Sequence, residues 1–163
     1  MKIYLVGFMG AGKTTIGREL SSRIDTPFFD LDDLVEAAEK QKIKEIFAQQ
    51  GEPYFRQLER QALTELLPER HIIVATGGGT FVDPQNRAAI NADGVSVWLD
   101  VPLERLVDRV PADGRRPLAA DRAGFERLYY QRRAAYEQAQ VRLDAGRASV
   151  DALVEQLVDW LEH

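Results

Sequence analysis

Gly7-Phe8-Met9-Gly10-Ala11-Gly12-Lys13-Thr14 sets glycines, an amine and a hydroxyl at the spacing G-x-x-x-x-G-K-[ST]. Glycines at these positions let backbone N–H groups close around phosphate oxygens, and a following helix adds its partial positive charge. Lys13 is placed to reach β- and γ-phosphates, and the Thr14 hydroxyl to ligate Mg²⁺. The candidate ATP contacts are therefore Gly10, Ala11, Gly12, Lys13, Thr14 and the adjoining Thr15.

The pattern needs a particular setting, and the flanking residues provide it. Ile3-Tyr4-Leu5-Val6 reads as a buried strand. Thr15-Ile16-Gly17-Arg18-Glu19-Leu20 reads as a helix, with Leu20 and Ile24 at helical spacing. Strand, glycine loop and helix in that order define a phosphate-binding loop, or P-loop.

The rest of the chain alternates in the same way. Pro27-Phe28-Phe29 forms a short strand leading to Asp30, Ile72–Ala75 a strong one, Val95–Leu99 another, and Val141–Leu143 a weaker one. Helices are expected near 43–66, 84–91, 102–109, 125–139 and 149–162. The last begins with Ser149 as N-cap and repeats Val150, Val154, Leu157 and Leu161 on one face. Alternating strands and helices predict an α/β fold of three layers, a parallel five-stranded sheet between helices. Ligands of such sheets sit beyond the carboxyl ends of the strands. The P-loop, Asp30-Leu31-Asp32 and Gly77-Gly78-Gly79 all fall there.

Composition narrows the class. The chain has 163 residues, 45% hydrophobic and 29% charged, which fits one soluble domain. No apolar run approaches a membrane span and no signal peptide is visible, so a cytoplasmic location is expected. Without cysteine, thiolate metal sites and cysteine nucleophiles are excluded. The net charge of −5 argues against nucleic acid. Eight arginines nevertheless lie between Arg105 and Arg133 against four acids, a local patch suited to a small anionic ligand. Residues 110–124, rich in Gly, Pro and Arg, read as a lid. No N-K-x-D guanine signature is present. A small P-loop chain with a lid and anion-binding arginines points to a small-molecule kinase.

The ordered set of motifs resembles the shikimate kinase family over nearly the whole chain. Its marks are the P-loop, Phe29-Asp30-Leu31-Asp32 with Glu36, Gly51-Glu52-Pro53-Tyr54-Phe55-Arg56-Gln57-Leu58-Glu59, and Thr76-Gly77-Gly78-Gly79. Arg116-Pro117-Leu118 and Arg132-Arg133-Ala134-Ala135-Tyr136 follow. The resemblance implies a nucleoside-monophosphate-kinase-like fold in one domain, with substrate-binding helices near 31–61. It implies transfer of the ATP γ-phosphoryl group to the 3-hydroxyl of shikimate, in aromatic amino-acid synthesis. It also implies Mg²⁺ as cofactor and a monomer.

The resemblance assigns roles as well. Arg56 and Arg132 would clamp the substrate carboxylate, where a bidentate arginine fixes orientation as well as affinity. Asp32 would orient or deprotonate the accepting hydroxyl and Asp30 would hold Mg²⁺, while both also stand where a helix N-cap belongs. Gly77, Gly78 and Gly79 would bring backbone N–H groups to the substrate. Arg116 would offset charge on the moving phosphoryl group, with Lys13 and Asp32 completing the catalytic set. Arg109 would pack on the adenine, and Arg147 lies in the expected adenine loop. Arg115 competes with Arg116, and Arg133 with Arg132. Phe47 and Phe55 could line the substrate ring. The chain departs from the family at Lys40 and Lys42, where a glycine and a small capping residue are usual; that change predicts extended or reoriented substrate-side helices.

Overall fold

A computed structural model describes residues 1–109 and 122–163. The lid expected at 110–124 lies almost wholly outside the described residues, as do Arg115 and Arg116; its last three residues, 122–124, already belong to a helix.

The strands are β1 (Lys2–Val6), β2 (Phe28–Asp30), β3 (Ile72–Ala75), β4 (Val95–Asp100) and β5 (Val141–Asp144). All pair in parallel, in the order β2-β3-β1-β4-β5. Every residue of β1 is buried, because a central parallel strand has helices over both of its faces. Its register, Leu5 opposite Ala75 and Val97, brings the ends of β1 and β3 within one residue of each other, and β4 runs two residues further in the same direction. The loops that follow these strands therefore open at one end of the sheet.

The connecting helices are α1 (Lys13–Ile24), α2 (Leu31–Glu39), α3 (Ile43–Gln50), α4 (Glu52–Leu66), α5 (Pro84–Asp93), α6 (Leu103–Arg109), α7 (Arg122–Tyr136) and α8 (Val150–Glu162). A single 3₁₀ turn, Thr80–Val82, precedes α5. The helix expected over 43–66 is two helices. Gly51 breaks it with φ 86° and ψ 171°, a conformation that a side chain disfavours, and Pro53 then sits in the first turn of α4, where its missing N–H costs nothing.

The lysines at 40 and 42 do not extend α2. Lys40 adopts the left-handed conformation of a helix terminus (φ 55°) and returns its N–H to the Glu36 carbonyl. For a non-glycine residue this costs about 1 kcal/mol, which the surrounding packing offsets. Lys42 gives α3 no side-chain cap, but the Ile43 N–H donates to Glu36 Oε2 at 3.0 Å. A carboxylate from the preceding helix thus replaces the small capping residue. At the far end of the chain, Ser149 caps α8 as expected, accepting from the Ala152 N–H. The buried face of α8 is Leu153, Val154 and Leu157, while Val150 is 37% exposed, so the apolar stripe begins one turn later than the sequence indicated.

Candidate active site

On the phosphate side, Gly12 caps α1 with φ 101°, which turns the loop so that Lys13 opens the helix. The Lys13 ammonium is buried and donates to the Gly7 carbonyl at 2.6 Å and the Phe8 carbonyl at 3.0 Å. It is held across the mouth of the loop it would share with a phosphate. One residue on, the Thr14 hydroxyl donates to Asp30 Oδ2 at 2.6 Å. The other oxygen of Asp30 accepts from the backbone N–H groups of Asp32 (2.9 Å) and Asp33 (3.3 Å). The helix cap and the Thr14 contact therefore fall on different atoms of one carboxylate. A hydroxyl and a carboxylate oxygen side by side are the hard donors that Mg²⁺ takes. Among the described residues no group of three or more His, Asp or Glu could hold a metal alone, so an ion here would also need oxygens of the nucleotide or water.

Thr15 is exposed on α1, Arg109 is exposed at the end of α6, and Arg147 is exposed in the turn between β5 and α8. They sit on three separate elements.

The second group forms around the three glycines after β3. A Cβ on Gly77 would stand 3.0 Å from both Asp32 Oδ1 and Glu59 Oε2. One on Gly78 would stand 3.0 Å from Arg132 Nη1 and 3.5 Å from the Met9 nitrogen of the P-loop. One on Gly79 would meet Arg56 Nη1 at 2.4 Å. Each glycine thus gives way to a different charged side chain: carboxylates at the first, one arginine at each of the others. The sequence set Asp32, Arg56, Arg132 and Gly77–Gly79 converges in space, against the phosphate loop. Asp32 itself is buried at the start of α2.

The neighbouring arginines of α7 part company. Arg132, 6% exposed, turns to Gly78, and burial lowers its pKa from the ordinary arginine value. Arg133 donates to Asp100 Oδ1 at 2.9 Å and to the Tyr129 hydroxyl at 2.8 Å, with its guanidinium over Trp98. Arg142 holds the other oxygen of Asp100 at 2.7 Å. Arg133 is thereby engaged at the end of β4, away from the glycines.

Two further residues complete the cluster. Glu59, only 2% exposed, accepts from the Thr80 hydroxyl at 2.8 Å and pairs with Arg56 Nη1 at 3.2 Å. Burial pushes its pKa up, while Arg56 and the Thr80 hydroxyl pull it back. The sequence showed this glutamate as the last residue of the Gly51–Glu59 motif, without a role; its burial is a tertiary fact. Tyr136 was visible as part of a motif without a role, and its hydroxyl donates to the Gly78 carbonyl at 2.5 Å. Phe47 and Phe55 lie with ring centroids 5.0 Å apart, Phe55 buried and Phe47 partly so. They join the apolar cluster of the helices that carry Arg56 and Glu59.

A protein-family model described as shikimate kinase matches residues 9–162. The chain is 43% identical to the shikimate kinase of Thermosynechococcus vestitus over 163 residues, covering 95% of this chain and 88% of that one. It is 38% identical to that of Persephonella marina over 157 residues, covering 96% of each. Among solved structures, shikimate kinase from Acinetobacter baumannii in complex with shikimate superposes with a TM-score of 0.93 at 32% identity, covering 99% of this chain and 92% of that one. Deoxyadenosine kinase from M. mycoides, at 18% identity and a TM-score of 0.69, shares the fold.

Proposed function

The chain belongs to the shikimate kinase family, an ATP-dependent kinase that converts shikimate to shikimate 3-phosphate with release of ADP, and we propose that its residues divide that work as follows. Arg56 and Arg132 hold the shikimate carboxylate above Gly79 and Gly78, and Glu59 keeps Arg56 in place. The glycine backbone lets the ring lie close, and Asp32 receives the proton of the 3-hydroxyl as its oxygen bonds to the γ-phosphorus. The bond from that phosphorus to the β–γ bridging oxygen breaks, and the electron pair leaves with ADP. Lys13 exchanges its carbonyl partners for the β- and γ-phosphates, and Arg116, which lies outside the described residues, offsets charge on the phosphoryl group. Arg109 and Arg147 flank the adenine.

Thr14 and Asp30 would hold Mg²⁺, which neutralises phosphate charge when bound. The chain works as a monomer, one kinase domain over 1–163, in the cytoplasm. Among the described residues no helix is long and apolar enough to cross a membrane.

The observation that carries this reading is the contact of two sites. A Cβ on Gly78 would stand within 3.5 Å of both the Arg132 guanidinium and the Met9 nitrogen of the P-loop, so an acceptor held by the arginine borders the phosphate donor. Transfer needs that proximity more than covalent help from the protein. The test is ADP release with MgATP and shikimate, gluconate, AMP or no acceptor. Release that depends on shikimate supports the reading, and release with another acceptor but not shikimate overturns it.

A further inference from the structure

Tyr136 is 1% exposed, and its hydroxyl joins two elements 58 positions apart in sequence by donating to the Gly78 carbonyl at 2.5 Å. It stands one helical turn beyond Arg132 on α7, so the two side chains share a face. Burial raises the phenol's pKa to about 12, and hydrogen bonding and charge from Arg132 restrain the rise. The phenol therefore keeps its proton at physiological pH. With that proton committed to Gly78, the oxygen's lone pairs can only accept, and the Arg132 guanidinium, whose Nη1 would stand 3.0 Å from a Cβ on the same glycine, is the charged donor on this face. Trp98 backs the ring, with centroids 6.1 Å apart, and limits its tilt.

We propose that Tyr136 is a positioning residue for substrate binding: anchored on the Gly78 carbonyl, it fixes the Arg132 guanidinium in the orientation that receives the substrate carboxylate. The proposal rests on the reading of Arg132 as a carboxylate clamp. A buried arginine with five donors needs a fixed acceptor if two of those donors are to meet a ligand in one plane. Glu59 serves Arg56, and Tyr136 serves Arg132 without cancelling its charge. A carboxylate partner at this position would compete with the substrate, whereas a neutral phenol does not.

Tyr136→Phe keeps the ring against Trp98 and removes only the bridge. Steady-state kinetics of Tyr136→Phe, Arg132→Ala and the double variant test the proposal, with thermal melting as a check on folding. Tyr136→Phe is expected to raise the shikimate KM about fivefold, the size of one lost hydrogen bond. The KM for ATP and kcat should stay within about twofold. Adding Tyr136→Phe to Arg132→Ala should change nothing further, because the phenol acts through the arginine. An unchanged shikimate KM in Tyr136→Phe, beside a raised one in Arg132→Ala, overturns the role of Tyr136 alone. A loss spread over kcat and both KM values, or an undiminished effect in the double variant, also overturns it. An Arg132→Ala protein with wild-type shikimate KM removes the clamp and the proposal together.

Discussion

Gly79 lies so close beneath Arg56 that a Cβ at this glycine would stand 2.4 Å from Arg56 Nη1. The obstruction would fall on the end of a flexible side chain, which can move aside, and φ at Gly79 is −99°, open to any residue. Gly79→Ala is therefore expected to melt within a few degrees of wild type while displacing the guanidinium. Loss of a charge-assisted contact should raise the shikimate KM about tenfold or more, with little change in the KM for ATP. A variant that binds shikimate normally would show that Arg56 does not contact the acceptor.

Asp30 performs two tasks with two oxygens, and one substitution separates them. Asparagine is as good an N-cap as aspartate, so Asp30→Asn should keep the start of α2 and lose less than about 0.5 kcal/mol of stability. It removes the charge beside Thr14 Oγ1. The Mg²⁺ concentration for half-maximal activity is expected to rise several-fold, read from activity against free Mg²⁺ at saturating ATP. An unchanged Mg²⁺ requirement would leave Asp30 as a cap only.

Glu59 gives the site a pH signature. Its carboxyl titrates above the usual range because it is buried, so acidification discharges it sooner than a surface glutamate. Arg56 then loses its anionic partner, and the shikimate KM should climb as pH falls through that raised value. Glu59→Gln should start with the higher KM and lose this acid limb. Parallel profiles for the two proteins would mean that the limb belongs to another group.

Far from the site, Asp93 ties the opposite end of the sheet. It meets Lys2 Nζ at 2.5 Å, the Tyr4 hydroxyl at 2.6 Å and Arg70 at 2.7 Å. Burial works against its charge, but hydrogen bonds from Lys2, Tyr4 and Arg70 prevail and its pKa is lowered. A carboxylate with a depressed folded-state pKa contributes stability above its unfolded value near 4, and that stability is lost as pH falls through the folded value. Asp93→Asn is expected to cost about 3 kcal/mol at pH 7, chiefly by leaving the buried Lys2 charge with only the Leu66 and Leu67 carbonyls and no carboxylate, and progressively less below pH 4. Urea unfolding at both pH values checks this, and kcat should be unaffected.

The sequence exposed some of this architecture and hid the rest for physical reasons. Buried parallel strands are continuous apolar runs, so Leu5, Val74 and Val97 marked β1, β3 and β4 directly. The P-loop was legible because its spacing is itself the geometry. The break at Gly51 was concealed by apolar residues at helical spacing on both sides, although Gly51 with Pro53 carried the signal. Val150 entered the α8 stripe because periodicity fixes a face and not where along the helix the core begins. The sequence favoured Arg132 for the clamp but left Arg133 as its rival; Asp100, 33 positions away, separates them. Glu59 and Tyr136 owe their surroundings to Thr80 and Gly78, partners that no local pattern links to them.

That separation of neighbours offers the sharpest test of the site. Shikimate can be titrated into wild type, Arg132→Ala and Arg133→Ala by calorimetry. Arg132→Ala should lose shikimate affinity by about tenfold or more. Arg133→Ala should bind shikimate within about twofold of wild type and melt earlier, having broken the Asp100 network. Normal binding by Arg132→Ala together with loss in Arg133→Ala would contradict the proposed carboxylate site.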